Sequence, residues 1–192
     1  ATQTLSRDDD VDAEQYQRAR TASVMKQSET DAKATTILRE MLSGDGRVRA
    51  RLQSYLLLIL GPAASGKTTL LKTFIMEMVH LYPDFVPILM PVIELAPVLS
   101  NCGDRHAGES VVVAFIQSKY PQHTHLLLQA MLQRRAVFLI DGIDESGSFR
   151  EAMQDFITVE LLEPGHKTII TSRHSGFSSD AFQQCRLVEL LP

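Results

Sequence analysis

The sequence predicts an α/β fold in which a five-stranded parallel sheet lies between two layers of helices. Short apolar runs rich in β-branched residues alternate along the chain with segments whose apolar residues recur at helical spacing. This alternation requires right-handed crossovers between parallel strands. About 80 residues separate a glycine-rich loop after the first strand from the acidic end of a later strand, which leaves room for an inserted strand. We expect the strand order 5-1-4-3-2, with which this spacing is compatible.

The first part of the chain is polar and acidic, and we expect a tail or linker over residues 1–29. The core is expected over residues 30–192, beginning with a lead-in helix. Thr30 and Asp31 can start this helix, apolar residues follow at helical spacing, and Gly44 ends it. The helix either packs on the core or forms the end of an upstream module.

The first strand is the apolar run 55–60, which leads directly into a loop with the pattern G-x-x-x-x-G-K-[ST]. Glycines at both ends of this loop permit the backbone angles that turn successive N–H groups inward, at the start of a helix. Lys67 can reach the β- and γ-phosphates of a nucleotide, and the Thr68 hydroxyl can coordinate Mg²⁺. We name the segment the phosphate loop, and its expected nucleotide-binding residues are Gly61, Pro62, Ala63, Ala64, Ser65, Gly66, Lys67, Thr68 and Thr69.

Apolar residues between 70 and 79 recur at helical spacing, which predicts a helix after the phosphate loop with one face on the sheet. We expect the second strand over 86–94 and a loop over 96–108. Two helices are expected at about 109–119 and 123–134, separated by Tyr120 and Pro121.

The third strand, 136–140, is short and apolar and ends at Asp141. A carboxylate at the C-terminal end of a parallel strand can hold Mg²⁺ opposite Thr68. Gly142 follows, and the next acids are Asp144 and Glu145. Either acid can orient or deprotonate an attacking water, or it can simply cap the next helix.

A helix over 149–162 and a fourth strand over 167–172 follow, and the fifth strand is expected at about 185–190. The fourth strand would lie between the first and the third. Thr171, Ser172 and Arg173 would then stand at the sheet edge near the γ-phosphate. Arg173 could detect the third phosphate through forked contacts, or it could be an ordinary surface arginine.

The phosphate loop, the run Phe138-Leu-Ile-Asp-Gly-Ile-Asp-Glu145 and the run Ile169-Ile-Thr-Ser-Arg173 together resemble the NACHT family of signalling P-loop NTPases. The small residue after the metal-binding Asp and the acids that follow it are typical of that family. The resemblance implies that Lys67 and Thr68 contact phosphate and Mg²⁺, and that Asp141 holds the metal. It further implies that Asp144 or Glu145 serves hydrolysis and that Arg173 is the first sensor.

Composition limits the class of protein. The 192 residues suffice for one domain with a sizeable core, and 19 basic against 23 acidic residues do not indicate a nucleic-acid surface. The sequence has no run of about 18 uninterrupted apolar residues and no signal-peptide pattern, so no membrane span is expected. Two cysteines without a C-x-x-C spacing favour a reducing, cytoplasmic setting.

The leading hypothesis is a Mg²⁺-dependent switch that binds ATP or ADP, hydrolyses ATP slowly, and drives self-association of a longer protein, as the resemblance implies. Adenine is favoured over guanine because no [NT]-K-x-D motif occurs. One alternative is a scaffold that binds nucleotide without turnover. Another is a remodelling ATPase of the AAA or helicase kind, which would require a pore or a nucleic-acid surface.

Overall fold

A computed structural model describes residues 32–33, 35–42, 55–104, 110–174 and 185–190. Its five strands form one sheet in which every neighbouring pair is parallel, in the order β2-β3-β4-β1-β5. Read from the other edge, this is the predicted order 5-1-4-3-2, which is therefore confirmed. The strands are β1 Leu56–Leu60, β2 Val86–Pro91, β3 Ala136–Asp141, β4 Lys167–Ser172 and β5 Arg186–Glu189.

Six α-helices lie in the described part of the chain. The first, α1, occupies 32–33 and 35–42. The expected polar tail and the predicted ends of α1 at Thr30, Asp31 and Gly44 lie outside the described residues. The remaining helices are α2 Lys67–Leu81, α3 Val92–Asp104, α4 Val111–Lys119, α5 Thr124–Leu132 and α6 Arg150–Phe156; short 3-10 helices are Pro121–His123 and Ile143–Phe149, and a π-helical segment, Ile157–Leu162, continues α6.

The segment after β2 differs from the prediction. Strand β2 ends at Pro91, and α3 occupies 92–104, where the sequence indicated three more strand residues and then a loop. Val92, Leu95 and Leu99 are all buried, and their spacing is that of one helix face. The apolar run continues from β2 into α3, so the change from strand to helix periodicity is not visible in the sequence. Pro97 lies inside this helix, although a proline usually indicates the end of one.

Both faces of the sheet are covered. Alternating residues of β1 point to opposite sides, so Leu57 and Ile59 join a core with α1 and α2. Leu58 and Leu60 join the larger core on the other side, beneath α3 to α6. Strands buried on both faces are apolar at every position, which is why β1 has no polar residue.

Helix α1 packs on the core. Leu38, Met41 and Leu42 are buried in the cluster that also contains Phe74 of α2. At the edge of the sheet, Arg186 of β5 forms an ion pair with Glu40 at 2.7 Å. These contacts join α1 to the same core as α2 and to the edge strand β5.

Because all five strands are parallel, their C-terminal ends lie along one edge of the sheet. The phosphate loop follows β1, Asp141 ends β3, and Arg173 follows β4, so the sheet brings all three predicted elements together. None of the helices in the described ranges has both the length and the apolar character needed to cross a membrane.

Candidate nucleotide-binding site

The phosphate loop has a shape that depends on its two glycines. Gly66 begins α2 with φ +85°, a left-handed angle that glycine adopts without strain. A Cβ added at Gly61 would lie 2.5 Å from Ser65 Oγ and 3.0 Å from Leu190 Cβ. Gly61 therefore lets the loop lie tightly against the end of the fifth strand. The loop is anchored to β4 by a hydrogen bond of 3.2 Å from Gly61 N to Ser172 O.

Lys67 points its ammonium group into the loop. Lys67 Nζ donates to the carbonyl oxygens of Gly61 at 2.8 Å and Pro62 at 2.7 Å. Burial lowers the pKa of Lys67, the negative charge of Asp144 opposes that change, and the positive charge of Arg173 reinforces it. A partly buried cation held by carbonyl dipoles is favourably placed to meet an incoming phosphate.

Asp141 is held between two hydroxyl groups. Thr68 Oγ1 donates to Asp141 Oδ2 at 2.8 Å, and Thr171 Oγ1 donates to Asp141 Oδ1 at 2.6 Å. Carboxylate and hydroxyl oxygens are the ligands that Mg²⁺ prefers, so Thr68 and Asp141 suit this ion. In the described part of the chain, no three His, Cys, Asp or Glu side chains converge as a metal site. A Mg²⁺ ion here would therefore complete its shell with phosphate oxygens and water.

The two acids after β3 lie beside Gly142. This glycine has φ +82°, and a Cβ added to it would lie 3.3 Å from Glu145 Cδ. The backbone angle therefore favours glycine there, and the Glu145 side chain lies close against it. No side-chain hydrogen bond caps the start of either the 3-10 helix Ile143–Phe149 or α6, so a capping role for Asp144 or Glu145 is not observed.

Arg173 is bound to Asp144 by two contacts. Arg173 Nε lies 3.1 Å from Asp144 Oδ2, and the backbone N–H of Arg173 donates to Asp144 Oδ1 at 3.0 Å. The side chain of Asp144 is only 11% exposed, whereas that of Arg173 is half exposed. The Nε side of the guanidinium group is thus held by Asp144, while the half-exposed side chain leaves room for a ligand to contact the group.

These groups line one cleft of about 470 Å³, a size usual for small-molecule sites. Its walls contain Ala63, Ala64, Ser65, Gly66, Lys67, Thr68, Thr69, Asp141, Asp144, Glu145 and Arg173 from the predicted set. Gly61 and Pro62 are not among the lining residues, and their carbonyls accept from Lys67 instead.

Four lining residues were not among the predicted site residues. Gly142 and Thr171 stand at strand ends that the sequence had already placed at this edge. Pro91 and Ile93 were missed because the second strand was expected to continue through them. A correct end for β2 would have indicated them, since ligands bind outside the carboxyl ends of parallel strands.

Comparison with known families decides the assignment. The NACHT domain model matches residues 55–192. The chain belongs to the NACHT family. The matched range contains every group of the cleft, and nucleotide binding by a P-loop is a property of NACHT domains as NTPases.

Individual proteins give no more specific assignment than the family does. No curated protein matches the sequence. Among solved structures, one similar to this NACHT domain is PCH-2 of C. elegans, with 13% sequence identity and a TM-score of 0.48. The alignment covers 85% of this chain and 42% of that chain, so this chain spans less than half the length of that protein.

Proposed function

We propose that this NACHT domain binds ATP or ADP with Mg²⁺, hydrolyses ATP slowly, and acts as a nucleotide switch. The observation that supports this most is the bridge between Thr68 of the phosphate loop and Asp141 of β3, at 2.8 Å. The two groups that would hold a phosphate-bound Mg²⁺ therefore lie within hydrogen-bond distance of each other in the cleft.

Binding would be divided among the groups as follows. The inward N–H groups of the phosphate loop would hold phosphate oxygens at the start of α2. Lys67 would exchange its carbonyl contacts for the β- and γ-phosphates, while Thr68 and Asp141 hold Mg²⁺. When bound, the ion would neutralise the negative charge that phosphoryl transfer concentrates on the phosphate oxygens.

The proposed catalytic groups are Asp144, Glu145 and Arg173. Asp144 or Glu145 would accept a proton from the attacking water or orient it, and Arg173 would contact the γ-phosphate. The Arg173–Asp144 pair occupies the two side chains with each other, which supports slow turnover as long as the pair remains closed.

The second candidate function is a scaffold that binds nucleotide without hydrolysis. The observation that favours it is the same Arg173–Asp144 pair. Each side chain already has the other as its ion-pair partner, so neither is free to act on a water or a phosphate. Turnover of the intact protein decides between the two. Equal rates for the parent and for an Asp144→Asn, Glu145→Gln double variant would favour the scaffold.

The wider role proposed for this protein comes from its family rather than from the cleft. NACHT proteins are signalling NTPases, so we propose that exchange of ADP for ATP controls self-association of a full-length cytoplasmic protein. We propose no nucleic-acid partner and no membrane partner. The net charge of −4 supports the proposal that the protein does not bind nucleic acid, since phosphate backbones attract basic surfaces.

The direct test of binding compares Lys67→Ala with Lys72→Ala. Lys72 is an exposed lysine on the same helix, outside the cleft, and serves as the matched control. Removing Lys67 should weaken affinity for ATP by about tenfold or more, because a charge-assisted contact to phosphate is lost. Affinity is measured by titration calorimetry in Mg²⁺ buffer. An unchanged affinity in Lys67→Ala would overturn the proposed site.

The identity of the nucleotide has its own test. The purified protein is denatured and the released nucleotide is identified by chromatography. Stoichiometric ADP or ATP would support the adenine assignment and a tightly held switch state, whereas a guanine nucleotide would overturn that assignment.

A further inference from the structure

One threonine that lines the cleft, Thr171, contacts the aspartate at the end of β3. Thr171 lies at the C-terminal end of β4, and its residue is fully buried. Strands β3 and β4 pair in register up to Ile140 and Ile170, so Asp141 and Thr171 stand side by side at the end of the pair. The Thr171 hydroxyl is thus fixed next to the carboxylate proposed to hold Mg²⁺.

The Thr171 hydroxyl makes two hydrogen bonds whose directions are determined. The backbone N–H of Gly142 can only donate, so at 2.8 Å it gives its hydrogen to Thr171 Oγ1. An ionised carboxylate can only accept, so Thr171 Oγ1 donates its single hydrogen to Asp141 Oδ1 at 2.6 Å. The chain of bonds therefore runs from the backbone through the threonine to the aspartate.

These bonds fix the orientation of the carboxylate. With Oδ1 held by Thr171, Oδ2 is the oxygen that faces Thr68 at 2.8 Å. We propose that Thr171 is a positioning residue, which orients Asp141 so that Oδ2 and Thr68 Oγ1 together receive the Mg²⁺ of a bound nucleotide. The inference rests on the proposed function, and it assigns to Thr171 control of metal affinity rather than contact with nucleotide.

The chemistry of metal sites supports this role. Groups that hydrogen-bond to a metal ligand set its orientation, and their loss commonly weakens metal binding by about 10-fold to 100-fold. A carboxylate without the Thr171 bond could rotate about its side-chain torsions and present either oxygen to Thr68. The cost would appear in the Mg²⁺-dependent part of nucleotide binding, because Thr171 has no hydrogen bond to the phosphate loop among the described contacts.

The variants are chosen to separate the hydroxyl from the packing. Thr171→Val keeps the shape but removes the hydroxyl, and Thr171→Ser keeps the hydroxyl. Thr168→Val is the matched control, since Thr168 is equally buried on the same strand and its hydroxyl bonds His166 O, at the far end. Thr171→Cys, with a weak donor of similar size, replaces Thr171→Val if the valine variant does not fold.

The measurement is the affinity for a fluorescent ADP analogue, with excess Mg²⁺ and with EDTA, for the whole chain. In the parent protein, Mg²⁺ should tighten binding. In Thr171→Val this gain should fall by about tenfold with the EDTA affinity unchanged, because only the metal ligand is misplaced. Thr171→Ser and Thr168→Val should keep the parent gain.

Three results would overturn the inference: an unchanged Mg²⁺ gain in Thr171→Val, an equal loss in Thr171→Ser, or an equal loss in Thr168→Val. A parent protein that binds the analogue equally with and without Mg²⁺ would also overturn it, while leaving nucleotide binding intact. A parent protein that binds the analogue in neither buffer would instead overturn the proposed function itself.

Discussion

Among the residues that the structure describes, His166 is the one with a buried side-chain nitrogen or oxygen that has no hydrogen-bond partner. It lies just before β4, is 7% exposed, and its Nδ1 has no hydrogen bond in the described structure. The ring packs edge-to-face against Phe138 with centroids 5.3 Å apart. Burial lowers the pKa of His166, and the positive charge of Arg134 lowers it further. The folded protein therefore favours the neutral imidazole at this position.

This environment predicts a dependence of stability on pH. Since the folded-state pKa of His166 lies below its unfolded value of 6.5, the unfolded chain takes up a proton first as pH falls. The contribution of the neutral ring is complete above pH 6.5 and is lost as pH falls through the folded-state pKa. In His166→Leu, the free energy of unfolding should fall less between pH 7 and pH 5 than in the parent.

Urea unfolding at the two pH values measures the effect. His80→Gln is the control, because His80 is exposed on α2 and its ring bonds a backbone carbonyl of its own helix. An identical pH slope in His166→Leu and the parent protein would show that His166 does not carry this dependence.

At the scale of elements, the side chain of Glu160 links the π-helical segment Ile157–Leu162 to the start of α4. Glu160 accepts from Ser110 Oγ at 2.6 Å and from the backbone N–H groups of Val111 at 2.9 Å and Val112 at 3.2 Å. These N–H groups begin α4 and have no partner within their own helix. Ser110 itself caps α4 by accepting from Val113 N–H at 3.3 Å. The carboxylate of Glu160 adds acceptors for the next N–H groups and the negative charge that the start of a helix favours.

Replacing Glu160 by Ala should lower the free energy of unfolding by about 2 kcal/mol, because three hydrogen bonds to a charged group are lost and two N–H groups at the start of α4 lose their acceptor. Glu160→Gln, which keeps an acceptor without the charge, should lose less. Glu163→Ala is the matched control, being an exposed glutamate of the same region. Chemical denaturation measures all three, and equal costs for Glu160→Ala and Glu163→Ala would contradict the role.

The elements also explain what could be predicted from sequence. The phosphate loop and the acidic end of β3 are specified by residue identity and spacing over a few positions, so Lys67, Thr68 and Asp141 could be located directly. The expected strand order was compatible with the roughly 80 residues between the two motifs, which leave room for an inserted strand, and β4 does lie between β1 and β3. The boundary between β2 and α3 could not be predicted, because apolar residues continue through it, and Ile93 was therefore not predicted as a site residue.

Contacts within the site could be predicted less well. The carbonyls that hold Lys67 belong to its own loop, and their direction depends on backbone angles such as φ +60° at Ala64, which no short pattern specifies. The hydroxyl of Thr171 meets Asp141 only because β3 and β4 pair in one particular register. Such contacts depend on tertiary structure and not on local sequence.

At the scale of the whole molecule, the packed core extends beyond the residues that the family match covers. The family match begins at residue 55, so α1 lies outside it. Leu38 of α1 is nevertheless 1% exposed and belongs to the core that contains Leu57, Phe74 and Val188. A side chain buried this completely contributes to the stability of the core it enters, whatever the boundary of the family.

We therefore predict that Leu38→Ala lowers the free energy of unfolding of the whole chain by about 2–5 kcal/mol, the usual cost of a cavity in a packed core. Arg39→Ala is the matched control, since Arg39 is the exposed neighbour of Leu38 on the same helix. If α1 belongs to the cooperative unit, urea unfolding of Leu38→Ala should remain a single transition with a lower midpoint. A cost no greater than that of Arg39→Ala would mean that α1 folds independently of the sheet, and the domain would then begin at β1.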